Sequence, residues 1–391
     1  MTAHRDIVCV GFNDWETELW TNQHHLMARL AAGGDQVLFI ESLGLRKPTV
    51  AARDVSRMAR RLVRGLKPPR ERDGVHVLSP LVIPLHGNAA VRKVNARVLP
   101  ALVGRAARKR GMQRPILWGY VPQAEVLLDT LDPAIVVYHC VDDIVAQKGI
   151  DTASFQAAEQ RFARRADLVL ASAPKLAERM RTLNDNVLYA PNVADTGAFA
   201  TALNEDPPTP VDPALAALPG PRIVFTGAIV EKKLDFPLLV AIARARPEWS
   251  IALVGPVGLG EPETDVSALE REPNIHLLGP RRYAELPAVL RGADATMIPY
   301  RGSELTASIF PMKVYEYLAA GRPVVATPLP AIAEVQGIAV AEGADAFVAA
   351  LDRALAEDTP EQRVARSAAA AANSWDARLE EIGAALERLE R

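Results

Sequence analysis

Short, wholly apolar runs that stop at a glycine and lead into helical spacing recur along the chain. Ile7-Val-Cys-Val10 ends at Gly11, a helical stretch over roughly Thr21–Ala32 stops at Gly33-Gly34, and Val37-Leu-Phe-Ile40 is the next apolar run. Runs that are apolar at every position suit strands buried on both faces, the condition found in parallel sheets. Parallel neighbours need a crossover, usually a helix, so this order predicts doubly wound α/β layers. Further strands are expected at Val75–Leu78, Leu81–Ile83, Pro115–Tyr120, Pro133–Asp143, Ala166–Ser172 and Val187–Val193. Another set follows at Arg222–Gly227, Ile251–Pro256, Asn274–Gly279 and Ala293–Tyr300. Single cores rarely grow beyond ~250–300 residues, so 391 residues predict two domains. The proline- and acid-rich stretch 201–221 reads as the linker.

The densest chemical signal is Ser308-Ile-Phe-Pro-Met-Lys-Val-Tyr-Glu-Tyr-Leu-Ala-Ala-Gly-Arg-Pro-Val-Val-Ala-Thr327. Pro311 suits a first helical position, Met312, Tyr315 and Leu318 share one helical face, Gly321 stops the helix, and Pro323-Val-Val-Ala starts a strand. Glu316 stands between two tyrosines inside that helix. A carboxylate there needs hydrogen-bond donors, which two sugar hydroxyls supply. Backbone N–H groups around Ser308–Met312 would face an anion at the helix start. Ribose on Glu316 and phosphate at that turn describe a nucleoside diphosphate site. The competing reading is an amphipathic helix with a glutamate at its solvent edge.

The stretch resembles the nucleotide-sugar site of GT-B glycosyltransferases, above all family 4 and its surface-polysaccharide subgroup. Pro311 to Gly321 is similar to Pro-x-Lys-x-x-Glu-Tyr-Leu-Ala-Ala-Gly, and Gly321-Arg-Pro-Val-Val325 to the family's following strand. Glu316 matches the second of two family glutamates; Ser308 stands at the first, and Glu304 is a near neighbour at different spacing. The resemblance implies an α/β GT-B fold, two Rossmann-like doubly wound domains facing a cleft. It implies domains at 1–200 and 222–372, and a last helix, 373–391, that crosses back to the first domain. Trp375 would anchor that helix or sit in the second domain's core.

By the same resemblance, Gly227 and Lys233 match the family's diphosphate loop, with Ala228 where an arginine is usual. Lys313, Ser308 and the helix start would add to the diphosphate site, and Arg281 and Tyr283 would approach the base. Tyr120 stands where a donor-contacting histidine is usual, and Tyr138-His-Cys-Val-Asp142 is similar to the subgroup's Tyr-x-Cys-x-Asp. His139 and Asp142 would then orient or deprotonate an acceptor hydroxyl. Asp142 or Asp143 could instead cap the following helix. Asp14, Trp15 and Trp20, with Asn22-Gln-His-His25, lie on the predicted acceptor side. The tryptophans would stack on sugar or lipid, or pack between helix and sheet.

Composition narrows the classes. Net charge is −2, so no global field draws the chain to nucleic acid. The basic segment 46–72 has helical spacing and would suit either an anionic membrane surface or solvent. Two cysteines, Cys9 and Cys140, in apolar runs fit a reducing cytoplasm, and the N-terminus lacks a leader pattern. No Asp-x-Asp occurs, so no metal need bridge the phosphates and no cofactor is expected. The expected activity is sugar transfer from a nucleoside diphosphate donor to a glycan or lipid-linked acceptor, with retention implied by the resemblance alone. The alternatives are an epimerase or phosphorylase on the same architecture, or a binding protein without turnover.

Overall fold

A computed structural model describes residues 4–17, 20–43, 68–80, 89–141 and 152–390. Two compact units result: Met1–Pro191 with Leu379–Arg391, and Asn192–Arg378.

Unit 1 holds an eight-stranded sheet. Its strands are β1 (Asp6–Val10), β2 (Gln36–Ile40), β3 (Arg70–Arg72), β4 (Val75–Leu78), β5 (Ile116–Gly119), β6 (Ile135–Cys140), β7 (Leu168–Ala171) and β8 (Val187–Tyr189). They run in the order β3-β4-β2-β1-β5-β6-β7-β8. Every pairing is parallel except β3 with β4. That exception corrects the helical reading of the basic segment at its end. Arg72 pairs with Val75 across Asp73-Gly74, both at positive φ (50° and 75°). This is the two-residue hairpin turn that Asp-Gly favours. The rest of the basic segment, and the strand expected at 81–83, lie outside the described residues.

Unit 2 holds six parallel strands: β9 (Arg222–Thr226), β10 (Ser250–Val254), β11 (Ile275–Leu277), β12 (Ala295–Ile298), β13 (Val324–Ala326) and β14 (Ile338–Val340), in the order β11-β10-β9-β12-β13-β14. Alternate residues show why the strands are apolar throughout. Ile223, Phe225, Ile251 and Leu253 face one buried cluster. Val224, Ala252 and Val254 face another that contains Leu215, Val289 and Ala293. Both faces are covered, as period-two geometry in a parallel sheet requires.

Leu215 also corrects the linker reading. Residues 201–221 fold as part of unit 2, with Leu215 fully buried on the helix Pro213–Ala216. Trp375 is buried and falls in unit 2, and the helix it begins, Trp375–Leu389, belongs to unit 1 from Leu379 on. There Arg5 Nε donates to Glu390 Oε1 at 2.8 Å. No described helix is long and apolar enough to cross a membrane.

Candidate functional site

The strand order of unit 2 reverses at β9, with β10 on one side and β12 on the other. Ligands bind beyond the carboxyl ends of strands at such a reversal. Thr226 ends β9, and its N–H donates to the Tyr317 hydroxyl at 2.7 Å. Gly227 follows at φ +130°, its N–H donating to Val254 O at 2.8 Å. A Cβ on Gly255 would lie 1.9 Å from Gly227 O, so the two glycines let the backbones after β9 and β10 cross closely.

Lys313 fills the space over Gly227. It opens the helix Lys313–Ala319, and a Cβ on Gly227 would lie 2.6 Å from both its Cε and its Nζ. The ammonium is 5.4 Å from the Phe225 ring centroid, a cation–π distance. One turn further, Glu316 is 6% exposed, so it faces the interior and not bulk solvent. Burial raises its pKa above the ordinary carboxylate value. The nearby Lys313 charge and the Tyr283 hydroxyl partly offset this. The Tyr283 ring is held edge-on by Phe199 at 5.4 Å. Gly227, Lys313, Glu316 and Tyr283 therefore converge past the end of β9.

Other expected residues of this unit are committed elsewhere. Arg281 does not reach toward a base. Its Nε donates to Asp212 Oδ2 at 2.6 Å and its Nη2 to Asp212 Oδ1 at 3.2 Å, while Nη1 donates to Leu278 O. Asp212 in turn caps the helix Pro213–Ala216. Arg281→Ala is expected to cost about 2 kcal/mol of stability through lost charge-assisted hydrogen bonds. The Arg281 guanidinium holds Asp212 below its ordinary 3.8. That stabilisation is complete above this value and is lost as pH falls through the lowered pKa. The melting temperatures of wild type and variant, followed by calorimetry, should converge in acid.

Ser308 is fully buried and closes the short helix Glu304–Ala307, its hydroxyl donating to Glu304 O at 3.2 Å. Ile309 and Phe310 are buried with it, and Asn192 Nδ2 donates to Phe310 O at 3.0 Å. The phosphate turn expected at Ser308–Met312 is thus packed against its own unit through Phe310. The helix begins only at Lys313, leaving its side chain as the cationic feature. Glu304 is exposed. Lys233 is half-buried, and its carbonyl accepts from Arg301 N at 2.8 Å, tying the loop after β9 to the loop after β12.

In unit 1 the structure groups Tyr120 with His139. Their rings stack with centroids 4.7 Å apart, and Trp118 lies 5.9 Å from the imidazole. Both residues are buried, and burial raises the Tyr120 phenol well above its ordinary value. Tyr138 and Cys140 project to the opposite face of β6, as alternation requires. There Tyr138 donates to Glu159 Oε1 at 2.6 Å, and Arg179 pairs with the same carboxylate. Arg179 Nη2 also reaches Cys140 Sγ at 3.8 Å. The Tyr-x-Cys spacing therefore serves a part-buried ion pair that sequence reading missed. Asp142, with Asp143, lies outside the described residues.

The loop after β1 is more closed than expected. Trp15 is buried against Phe39 at 5.0 Å and His24 at 5.4 Å, so packing, not an exposed stacking surface, is its place. Its backbone N–H donates to Glu41 Oε1, a carboxylate also held by Arg70 and Ser79. Trp20 is half-buried beside His24. The Asp14 carbonyl lies 3.0 Å from His24 Nε2, while His24 Nδ1 accepts from Thr21 N at 3.1 Å. That pair of contacts fixes His24 as the Nε2–H tautomer. His25 is driven to about 3 by burial and by Arg29, so it is neutral at physiological pH. Among the described residues no three His, Cys, Asp or Glu side chains group to hold a metal.

Residues 220–357, the span that holds Gly227, Lys313 and Glu316, match the family described as Glycosyl transferases group 1. That match covers about a third of the chain. TuaH of Bacillus subtilis (strain 168), which carries the name of a teichuronic acid biosynthesis glycosyltransferase, is 28% identical over 211 residues. That similarity spans 53% of this chain and 53% of TuaH, about half of each. Among solved structures, sucrose-phosphate synthase from Thermosynechococcus elongatus matches with a TM-score of 0.70 at 17% identity, covering 99% of both chains. HepE of Anabaena, solved in complex with UDP and glucose, matches at 0.68 and 15%, covering 98% of this chain and 100% of that one. These likenesses give the fold: an α/β GT-B chain of two Rossmann-like units, with the family match falling in unit 2.

Proposed function

We propose that the chain transfers a sugar from a nucleoside diphosphate donor to a hydroxyl of a glycan or glycolipid acceptor. The observation that carries this reading is the meeting of Glu316, Lys313 and Gly227 at the strand-order reversal of unit 2. The buried Glu316 carboxylate accepts hydrogen bonds from the two ribose hydroxyls, which replace the water it lacks. Lys313 and Lys233 lie on the diphosphate. When the bond from the sugar to the diphosphate breaks, negative charge grows on the leaving phosphate, and fixed cations there lower the barrier. Gly227, having no side chain, leaves room for the Lys313 ammonium at the end of β9. Tyr283 borders the ribose at Glu316.

On unit 1, His139 and Asp142 are the groups proposed to orient the acceptor hydroxyl. Retention of configuration rests on the family resemblance. UDP is the proposed nucleotide, because HepE was solved with UDP and with UDP-glucose. A thermal-shift panel of UDP, GDP, ADP, CMP and TDP tests the donor. A ligand at a hundred times its Kd stabilises by about 2.7 kcal/mol. UDP should give the largest rise, and a flat response to all five removes the donor reading. Incubation with the sugar nucleotide then separates classes. Turnover only when an acceptor is added marks a transferase, conversion without one an epimerase, and binding without turnover a non-catalytic protein.

A further inference from the structure

The group 1 site leaves one strong feature of unit 1 unexplained. Between Asp73 and Glu125 the sequence contains no Asp or Glu, yet it contains eight Lys and Arg. The chain as a whole is at −2, so the remainder is net acidic. Most of the positive charge falls on or just after the helix Ala89–Arg108. One face of this helix, with Leu99, Val103, Ala106 and Ala107, is buried in the core of unit 1. The other carries Lys93, Arg97, Arg105 and Arg108, all exposed, with Lys109 just beyond.

At 100° per residue the four helical cations fall within about a third of the circumference, along roughly 22 Å of axis. No described carboxylate forms a salt bridge with any of the four or with Lys109, whereas other exposed arginines are paired, such as Arg161 with Glu125 at 3.0 Å. The short neighbouring helix Leu128–Leu131 brings Asp129, and Asp132 follows it, but Asp132 pairs with Arg114 at 3.5 Å. Val94, on the same face, is 46% exposed, which is unusual for an aliphatic side chain in this protein.

We infer that the exposed face of the helix Ala89–Arg108 docks the protein on an anionic lipid bilayer. A row of cations with no ion-pair partner among the described residues matches a planar sheet of phosphate headgroups, and each such residue near the surface strengthens binding by about fivefold. The apolar face is already committed to the core, so the helix lies on the headgroups without inserting. The acidic remainder of the chain is repelled by the same surface, which turns this face toward it. The helix itself carries no aromatic residue, so it lacks the stacking platform of a single-stranded nucleic-acid site. This assignment stands on unit 1 alone and is independent of the donor reading.

The test is co-sedimentation of the full chain with vesicles. One set contains phosphatidylglycerol and phosphatidylcholine in equal parts, the other phosphatidylcholine alone. Wild type should bind the first and not the second, and 1 M salt, where the screening length is about 3 Å, should release it. Reversing R97E/R105E/R108E should weaken partition at least a hundredfold, whereas R97K/R105K/R108K should retain it, because headgroup attraction needs charge and not guanidinium geometry. Both variants should melt at the wild-type temperature and keep the wild-type nucleotide-induced shift, since their side chains are exposed. Equal binding to neutral vesicles, no binding to anionic ones, or unchanged binding by the reversed variant would each overturn the assignment. So would loss of binding on reversing R57E/R60E/R61E while the helix variant binds normally, because contact would then lie in the other basic segment.

Discussion

Glu316→Gln is expected to abolish most of the UDP-induced thermal shift while leaving the ligand-free protein as stable as wild type or more so. The two halves of this result have different causes. Ribose hydroxyls donate to a charged acceptor, and an amide replaces one accepting oxygen by a donor. The loss is about 2–3 kcal/mol, roughly thirty- to two-hundredfold in affinity. In the free protein the sign is opposite. Burial raises the Glu316 pKa above 4.5, so the folded state holds that proton more tightly than the unfolded chain does. Stability therefore falls as pH rises from 4.5 through the raised value, and a neutral glutamine escapes that cost. Because the nucleotide needs the carboxylate, wild-type affinity should weaken as pH drops through the same window. Glutamine should flatten both dependences. Titration calorimetry and thermal melts across that range check each half separately.

Lys313→Met is expected to lower kcat by about 10²–10³, the usual loss when one charge-stabilising donor is removed from a leaving group or oxyanion. Methionine keeps the length of the stem, so packing over Gly227 survives. The cation–π contact with Phe225 is lost, a change of about 1 kcal/mol in stability at most. A second readout separates this residue from a merely structural one. Lys313 lowers the Glu316 pKa against the burial effect, so its removal should move the acid limb of nucleotide binding to higher pH. Wild-type kcat with an unshifted acid limb would assign Lys313 to packing alone. Lys313→Arg should not restore the activity, because the Lys313 Nζ already sits 2.6 Å from where a Cβ on Gly227 would be.

How much of this was legible depends on the range of the interaction. Strand-length apolar runs that break at Gly11, Gly227 and Gly255 announced both sheets, since burial on two faces leaves a local imprint. The burial of Glu316 was legible for a related reason: it stands between Tyr315 and Tyr317 in an otherwise apolar helix. Pairings chosen at long range left no such trace. Arg281 finds Asp212, 69 residues away, and Arg179 finds Glu159 across the layer behind β6. A cation looks the same in sequence whether it meets a carboxylate or a phosphate. Trp15 was ambiguous because aromatic side chains suit both a core and a sugar-stacking surface, and only its burial against Phe39 decides. Ser308 misled because the turn before the helix packs inward through Phe310, which spacing along the chain does not reveal. The Asp73-Gly74 turn was readable, but the surrounding basic run, with helical spacing, outweighed it.

The most direct test of the donor site is a crystal structure of the protein soaked with UDP. The account predicts both ribose hydroxyls within hydrogen-bonding distance of the Glu316 carboxylate and the terminal phosphate beside Lys313 Nζ, over Gly227. A nucleotide bound with its ribose away from Glu316, or with its diphosphate away from Gly227 and Lys313, would contradict it.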